Sequence, residues 1–286
     1  MAQDAQLGRR TRPEPGRELA LLVILYIGYS AARLAADADH GSAMANARNL
    51  LHVEAALHIE VERWANSVVT GIPWLALASS YWYSRLHYVV APGVLLWVYH
   101  QRSQRYRRVR NALVIGSAVG IAGFVLLPMA PPRMLPGYVD TLAATSGQGW
   151  WGSNASAPRG LGGLTNELAA MPSLHVGWAL WCTWVVYLCC ARRSVRLVAL
   201  AYTAGTTLVV VVTANHYVLD VLAGGAVIAL GFAVTAGTPW VRRPDRTALD
   251  AGQGKAPRRG RASGPQHPPG SHPDGTGRVL CEPCRR

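Results

Sequence analysis

Four polar side chains have the types and the spacing needed to handle a phosphate group. His216 and Asp220 stand four residues apart in an apolar segment, so on a helix they share one face. A carboxylate behind a histidine fixes the tautomer of the imidazole and stabilises its charged form, which suits a nucleophile or a base. The other two side chains are His175 and Arg133.

The sequences around His175 and Arg133 indicate phosphate binding. Met171-Pro172-Ser173 is typical of a helix start, because proline is favoured in the first helical turn, where the amides have no intrahelical acceptor. Such a helix end attracts phosphate. Pro131-Pro132 restricts the backbone before Arg133, and a guanidinium offers a planar fork that fits phosphate oxygens.

Long apolar segments must position these side chains. Half of the 286 residues are apolar and 15% are charged, against about 25% charged in a typical soluble protein. About 20 apolar residues cross a bilayer, and the sequence predicts an all-α integral membrane protein with a six-transmembrane-helix bundle. A further helix at about 65–84 is predicted to be interfacial. The six predicted spans are 19–36, 86–100, 111–130, 173–191, 197–214 and 217–238.

Arginine clusters give the orientation of the spans. Positive loops prefer the cytoplasm, and all the clusters fall on one side only if the chain crosses six times. Both termini are then cytoplasmic, and Arg133, His175, His216 and Asp220 all lie at the outer face. The clusters are at 9–17, 102–110, 192–196 and 242–246.

The chain divides into three predicted regions. Residues 1–18 form a basic cytoplasmic N-terminus, and 19–238 form the membrane domain, with outer loops at 37–65 and 131–172. The first outer loop has the apolar spacing of an amphipathic helix on the membrane surface. The basic tail at 239–286 has almost no large apolar residue and is predicted to be disordered and cytoplasmic.

Composition also excludes several classes of function. The net charge of +13 does not indicate nucleic-acid binding, because the basic residues border apolar spans and do not form one stripe. The only lysine is Lys255, in the tail, which excludes Schiff-base or pyridoxal chemistry in the body of the chain. No metal or organic cofactor is predicted.

Short motifs resemble a known family. MPSLH at 171–175 and HYVLD at 216–220 are similar to the second and third signatures of the type 2 phosphatidic acid phosphatase (PAP2) superfamily. APPR at 130–133, GYVDTL at 137–142 and NHYVLDVLAG at 215–224 resemble the branch that contains the inositol phosphorylceramide synthases.

The resemblance implies a six-helix membrane core in which a histidine takes a phosphoryl group and passes it to water or an alcohol. His216 would be the nucleophile, Asp220 its orienting acid, and His175 the acid that protonates the leaving alkoxide. Arg133 would hold the phosphate, helped by Ser173 and nearby backbone amides.

The implied substrate is a membrane lipid phosphate or a phospholipid head group. The acceptor is water or a polyol such as inositol, and the branch resemblance favours transfer to the polyol. The abundance of arginine, alanine and glycine over lysine favours a bacterial source, which would place the site outside the plasma membrane.

The superfamily pattern is incomplete. Its first signature has a lysine seven residues before the arginine and a proline after it, where this chain has Leu126 and Met134. Its third signature has Ser-Arg ahead of the histidine, where this chain has Val209 and Val210. Two expected cations are therefore missing, which leaves a dianionic phosphate under-neutralised by Arg133 alone.

Other side chains are candidates to line the site or to replace those cations. Arg159, Arg85 or His87 could substitute, or the branch works without the missing cations. For His87 and the tyrosines near it, we favour an interfacial anchor, and for Trp150 and Trp151 we favour contact with lipid. Asp140 either turns its loop or orients Arg133. The candidate lining residues are His87, Tyr83, Asp140, Arg159 and Asn215.

Several other interpretations stay open. A lipid carrier or a proton-coupled transporter could use His216 and Asp220 as a proton relay, although transporters usually bind substrate at mid-membrane, not at span ends. The pair could also be a structural link between helices, or form a metal site with His175. A scaffold could use the basic tail to contact anionic lipid.

Overall fold

The computed structural model describes residues 13–35, 40–101, 103–152 and 167–237. Within these ranges the chain forms α-helices, short 3-10 helices and an isolated β-bridge between Met129 and Ala169. The predicted all-α fold class is therefore confirmed for the described part of the chain. The tail at 239–286, Arg159 and the first 12 residues lie outside it.

Nine α-helices and two 3-10 helices follow one another in the described ranges. The 3-10 helices are Pro132–Met134 and Ser146–Gln148. The α-helices are α1 (Pro15–Ala35), α2 (His40–Ala56), α3 (Glu62–Thr70), α4 (Pro73–Gln101), α5 (Ser103–Leu126), α6 (Thr141–Thr145), α7 (Leu174–Cys189), α8 (Arg193–Val212) and α9 (Val218–Val234).

Apolar helices form the centre of the bundle. Two of them, over Arg105–Leu126 and Arg193–Val212, are long and apolar enough to cross a membrane. Helices α7 and α9 are equally apolar but shorter. The number of crossings stays a prediction.

The predicted boundary inside 65–100 was wrong. We expected an interfacial helix at about 65–84 and a separate crossing at 86–100. Instead α3 ends at Thr70, and α4 continues for 29 residues, or about 43 Å at about 1.5 Å per residue. It begins at Pro73, where a missing amide hydrogen is harmless because the first helical amides have no acceptor.

Tertiary contacts explain why α4 is not interrupted. Arg85 is exposed, and its guanidinium lies 5.1 Å from the ring centre of Tyr81, so the charge is kept at the surface. His87 is buried, and its Nδ1 lies 3.1 Å from the carbonyl oxygen of Tyr83. Pro92 stays inside the helix. The polar residues therefore lie on different faces of one continuous helix, with Arg85 at the surface and His87 in the interior.

Helices α5 and α9 pack with their backbones in contact. A Cβ atom added at Gly231 would collide with the carbonyl oxygen of Ala112, and Gly116 faces the backbone of α9 in the same way. Small residues allow such close approach where lipid supplies no hydrophobic driving force between helices. Close packing with α5 and with α7 therefore holds α9, which follows His216 directly.

The basic clusters that the structure describes gather at one end of the bundle. Arg110 donates to both carboxylate oxygens of Glu18 at 2.6 and 2.7 Å, and the Tyr106 hydroxyl donates to the same group at 3.0 Å. Arg196 donates to the carbonyl oxygen of Cys190 at 2.7 Å. The contacts of Glu18 join the start of α1 to α5, and Arg196 joins the start of α8 to the end of α7. The candidate site lies at the opposite ends of α5, α7 and α8.

Asn66 ties α3 to two other segments. Its amide nitrogen lies 2.9 Å from the carbonyl oxygen of Val212, at the end of α8, and 3.1 Å from that of Val139. Its amide oxygen accepts from the Val139 nitrogen at 2.8 Å. The side chain is 1% exposed, so water cannot replace these bonds.

Replacing Asn66 by alanine is expected to destabilise the protein strongly. The change leaves the buried carbonyl group of Val212 and the part-buried backbone groups of Val139 without partners. This should cost about 3 kcal/mol and lower the thermal midpoint in detergent by roughly 6–12 °C. Ser67→Ala is the control, because Ser67 is exposed and its hydroxyl bonds only within α3. Equal midpoints for the two variants would contradict the role given to Asn66.

Candidate active site

Three histidines and a tyrosine lie together where α4, α7 and the start of α9 meet. The ring of His175 stacks on Tyr83 with the ring centres 4.3 Å apart, and it meets the edge of His87 at 4.4 Å. The His175 and His216 ring centres are 5.7 Å apart. The two histidines that the sequence singled out are therefore close enough to act on one small group.

The backbone turn between α8 and α9 presents His216. Ala214 has a left-handed backbone with φ of 55°, which ends α8. The amides of Asn215 and His216 both donate to the carbonyl oxygen of Val210, at 3.2 and 3.1 Å. His216 is thus held at the junction of two packed helices and not on a free loop.

Hydrogen bonds at Nδ1 assign the tautomer of His216. This nitrogen lies 2.7 Å from the carbonyl oxygen of Ala170 and 3.4 Å from a carboxylate oxygen of Asp220. A carbonyl oxygen only accepts, so Nδ1 carries the hydrogen and Nε2 carries the lone pair. A neutral imidazole of this form can attack phosphorus through Nε2.

Asp220 lies next to the His216 ring and is fixed by hydrogen bonds to the backbone. It is fully buried, and the carboxylate oxygen that faces His216 also accepts from the backbone amide of Tyr217 at 3.0 Å. Its other carboxylate oxygen has no hydrogen-bond partner among the described residues. Its backbone oxygen accepts from the Ser173 amide at 3.0 Å. Asp220 therefore joins the start of α9 to the start of α7.

Arg133 is fixed beside the same turn. Its backbone amide donates to the carbonyl oxygen of Ala214 at 2.8 Å, and its guanidinium donates to the Asn215 side chain at 2.7 Å. Its Nε lies 3.3 Å from a carboxylate oxygen of Asp140. The other Asp140 oxygen accepts from the Ala143 amide at 2.9 Å and caps α6. Asp140 thus makes both predicted contacts: it turns the loop and orients Arg133.

Ser173 precedes α7 and is fully buried. Its hydroxyl has no hydrogen-bond partner among the described residues. Helix α7 begins at the next residue, so the amides of its first turn have no intrahelical acceptor. A hydroxyl and several amides at a helix start, next to His175, can donate to an anion.

Two interfacial interpretations are wrong. We expected His87 and Tyr83 to anchor the chain at the membrane interface, but both are buried against His175. We expected Trp150 and Trp151 to contact lipid. For Trp151 this is wrong, because it is fully buried and donates to the carbonyl oxygen of Leu142 at 2.9 Å, whereas Trp150 is half-buried and its contact with lipid stays a prediction. These aromatic rings instead pack around the candidate site and its loop.

The positions of the expected cations are apolar in the structure. Leu126 is 81% exposed at the end of α5, and Val209 and Val210 are buried. Arg85 points outward over Tyr81, so it does not replace them. Among the described residues, no group of three histidine, cysteine, aspartate or glutamate side chains is arranged to hold a metal ion.

Two acids of the predicted outer loop 37–65 are buried and bind the backbone at the start of α9. Glu54 and Glu62 are both 0% exposed. Their carboxylates accept from the amides of Leu219 and Val218, at 2.7 and 2.8 Å. One signal existed: Glu54 continues the buried stripe Ala43, Ala47, Leu50 on α2, where an acid is unexpected unless it has a partner.

A small cleft opens beside His175, between α4, α7 and α8. Its empty volume is about 190 Å³. The polar and aromatic residues in its wall include Trp82, Tyr83, His87, His175, Tyr202 and Thr206. The cleft therefore borders two of the three histidines, His87 and His175.

A comparison with known families agrees with this geometry. A family model described as the PAP2 superfamily matches residues 48–234, which is more than half of the chain and includes Arg133, His175, His216 and Asp220. Neither the curated proteins nor the solved structures give a significant match. With the apolar helices, this match indicates a membrane protein with a phosphatase or phosphotransferase type of activity. The chain belongs to the PAP2 superfamily.

Proposed function

We propose that the protein transfers the phosphoryl group or the phosphate-bearing head group of a membrane lipid through a phosphohistidine intermediate. The observation that carries the proposal is the bond from His216 Nδ1 to the Ala170 carbonyl oxygen, which leaves Nε2 as the nucleophilic nitrogen. His175 stands beside it. Neither step of the proposed reaction requires a metal or an organic cofactor.

The proposed reaction has two steps. His216 Nε2 attacks phosphorus while the bond to the leaving alcohol breaks, and His175 gives its proton to the departing alkoxide. His175 then takes a proton from water or an alcohol, which attacks the phosphohistidine and frees His216. Asp220 and the Ala170 carbonyl stabilise the positive imidazole ring, while Arg133, Ser173 and the first amides of α7 hold the phosphate oxygens.

The charge of the site supports a phosphodiester substrate. The positive charge of Arg133 is partly offset by Asp140 at 3.3 Å, and the expected cation positions 126 and 210 carry leucine and valine. A phosphomonoester carries nearly two charges at neutral pH, whereas a diester carries one. A phospholipid head group therefore suits this site better than a terminal phosphate, which favours transfer to a polyol such as inositol.

The proposed location is the outer face of a plasma membrane. The arginines of α5 and α8 lie at the end of the bundle opposite to the site, and positive residues prefer the cytoplasm. On this topology the chain crosses six times with both termini inside. A protease added outside intact cells should then leave a tag at either terminus uncut.

The test compares two labelled lipids in detergent, with and without inositol. Phosphatidic acid presents a monoester, and phosphatidylinositol labelled in phosphorus presents a diester. Label moving from the diester to a new lipid or to an added alcohol supports head-group transfer. Free phosphate released from the monoester alone identifies a lipid-phosphate phosphatase. Transfer of intact lipid between vesicles, without turnover, would identify a carrier and contradict the proposal.

A further inference from the structure

Carboxylates from three different helices occupy the start of α9. Asp220, on α9, accepts from the amide of Tyr217, Glu62 on α3 from that of Val218, and Glu54 on α2 from that of Leu219. Negative groups are favourable at a helix N-terminus. Since all three amides are used, this helix start serves to fix α9, and it is not open to a phosphate group.

The two glutamates each bind α9 through only one of their two carboxylate oxygens. The other oxygen, Oε2 in both, is buried with no hydrogen-bond partner among the described residues. The amides that they bind belong to consecutive residues, Val218 and Leu219, so the two carboxyl groups lie side by side at the start of α9. Two carboxylates cannot bond without a hydrogen between them, and one proton satisfies both oxygens.

We propose that Glu54 and Glu62 share one proton and act together as positioning residues that hold the first turn of α9, and with it Asp220, against His216. When the proton is lost, two adjacent buried carboxylates repel each other. The turn that carries Val218 and Leu219 then loses its fixed position, and the contact between Asp220 and His216 loosens.

The charges around the pair favour keeping the proton. Burial raises the pKa of Glu54 to about 8, and the neighbouring Glu62 and Asp220 add to the shift, while the Leu219 amide opposes it. Tyr138 and Tyr217 are close enough to the glutamates to interact with them electrostatically. The Tyr217 hydroxyl donates to the carbonyl oxygen of Ala130, and His216 contacts Asp220. Of the charged residues next to the pair along the chain, Arg63 lies over the Tyr138 ring, and Glu60, His52 and His58 are exposed.

The direction of the pH effect follows from that pKa. The pKa of Glu54 rises from 4.5 to about 8 on folding, so the folded protein holds a proton that the unfolded chain releases. The stabilisation is complete at pH values below 4.5, declines as the pH rises, and is lost above about 8. Mild alkali should therefore loosen α9, whereas exposed acids, with ordinary pKa values of about 4, are already ionised at neutral pH.

A stability titration tests the proposal with Glu54→Gln. The glutamine amide donates to Glu62 and its oxygen still accepts from Leu219, so the variant imitates the protonated pair at every pH. The thermal midpoint of the wild type should fall by roughly 5 °C between about pH 6 and about pH 9, and that of Glu54→Gln should stay level. The control Glu60→Gln removes an exposed acid and should keep the wild-type fall. A wild-type fall in Glu54→Gln overturns the proposal.

Infrared spectroscopy gives a second test that does not need the variant to be stable. Wild-type protein labelled with ¹³C in its glutamate carboxyl groups should show a protonated-carboxyl band at about pH 6 that disappears with a midpoint near 8. The labelling separates this band from any signal of Asp220. Absence of the band at about pH 6 overturns the proposal.

The kinetic consequence rests on the proposed function. In the enzyme assay, kcat/KM of the wild type should fall on the alkaline side, and Glu54→Gln should move that fall to higher pH, which a purely structural role would not do. The two physical measurements need no turnover. An inactive preparation would therefore count against the proposed function and leave the proton-sharing pair to be judged by stability and infrared data.

Discussion

His216→Asn should abolish covalent phosphorylation of the protein and lower kcat by about 10⁴-fold or more. Asparagine is close to histidine in size and can still donate to the Ala170 carbonyl oxygen, so the turn between α8 and α9 should keep its shape. It has no basic nitrogen to attack phosphorus. Rapid acid-free quenching of the enzyme with a phosphorus-labelled lipid should show an acid-labile label on the wild type and none on the variant.

A leaving-group experiment separates His216 from His175. If His175 protonates the departing alkoxide, His175→Asn should be slow with ordinary lipid alcohols, but much closer to the wild type with an acidic leaving group such as a nitrophenol. His216→Asn should be inactive with both substrates. His52→Asn, at an exposed position on α2, is the control and should behave as the wild type. Label retained on His216→Asn would exclude this residue as the nucleophile.

The parts of the site that depend on residues close together in the chain could be predicted from the sequence. The four-residue spacing predicted that His216 and Asp220 share a helix face. Their side chains do meet, at 3.4 Å, but His216 lies in the turn two residues before α9 and only Asp220 belongs to the helix. Pro172 marked the start of α7 within two residues. These features could be predicted because a helix start depends mainly on the types of the residues beside it in the chain.

The course of α4 could not be predicted from the same kind of signal. Arg85, His87 and Pro92 each disfavour a buried helix when they are considered alone, and the sequence was therefore divided near residue 85. In the structure the guanidinium of Arg85 lies over the half-buried ring of Tyr81, and His175 covers His87. Tyr81 is four residues from Arg85 on the same helix, but His175 comes from α7, and the periodicity of α4 does not report a contact with another helix.

The burial of Glu54 and Glu62 was harder still to predict from the sequence, because their partners are far away in the chain. An acid on an amphipathic outer helix is expected to face water, and most acids do. The amides that bind these two acids are 165 and 156 residues further along the chain. Only the folded arrangement of α2 and α3 over the start of α9 shows that these side chains are buried.

Gly224→Ala should disrupt the site without touching a polar side chain. A Cβ at this position would collide with the backbone carbonyl of Ser173, and backbone atoms cannot turn aside as a side chain does. The Ser173 amide is also bonded to the Asp220 backbone at 3.0 Å. Helix α9 must therefore move away from α7 and break the link that sets Asp220 beneath His216. We expect a loss of about 2–3 kcal/mol in stability and of at least about tenfold in kcat/KM.

Gly225→Ala is the matched control for that change. Its Cβ would meet only the Cδ1 atom of Leu180, at 3.3 Å, and a leucine end can rotate by a few tenths of an ångström. Since alanine has a higher helix propensity than glycine, this variant should be at least as stable as the wild type and should stay active. The two substitutions differ by one position and add the same methyl group. If both variants kept the wild-type midpoint and activity, the close approach of α7 and α9 could not be what aligns Asp220 with His216.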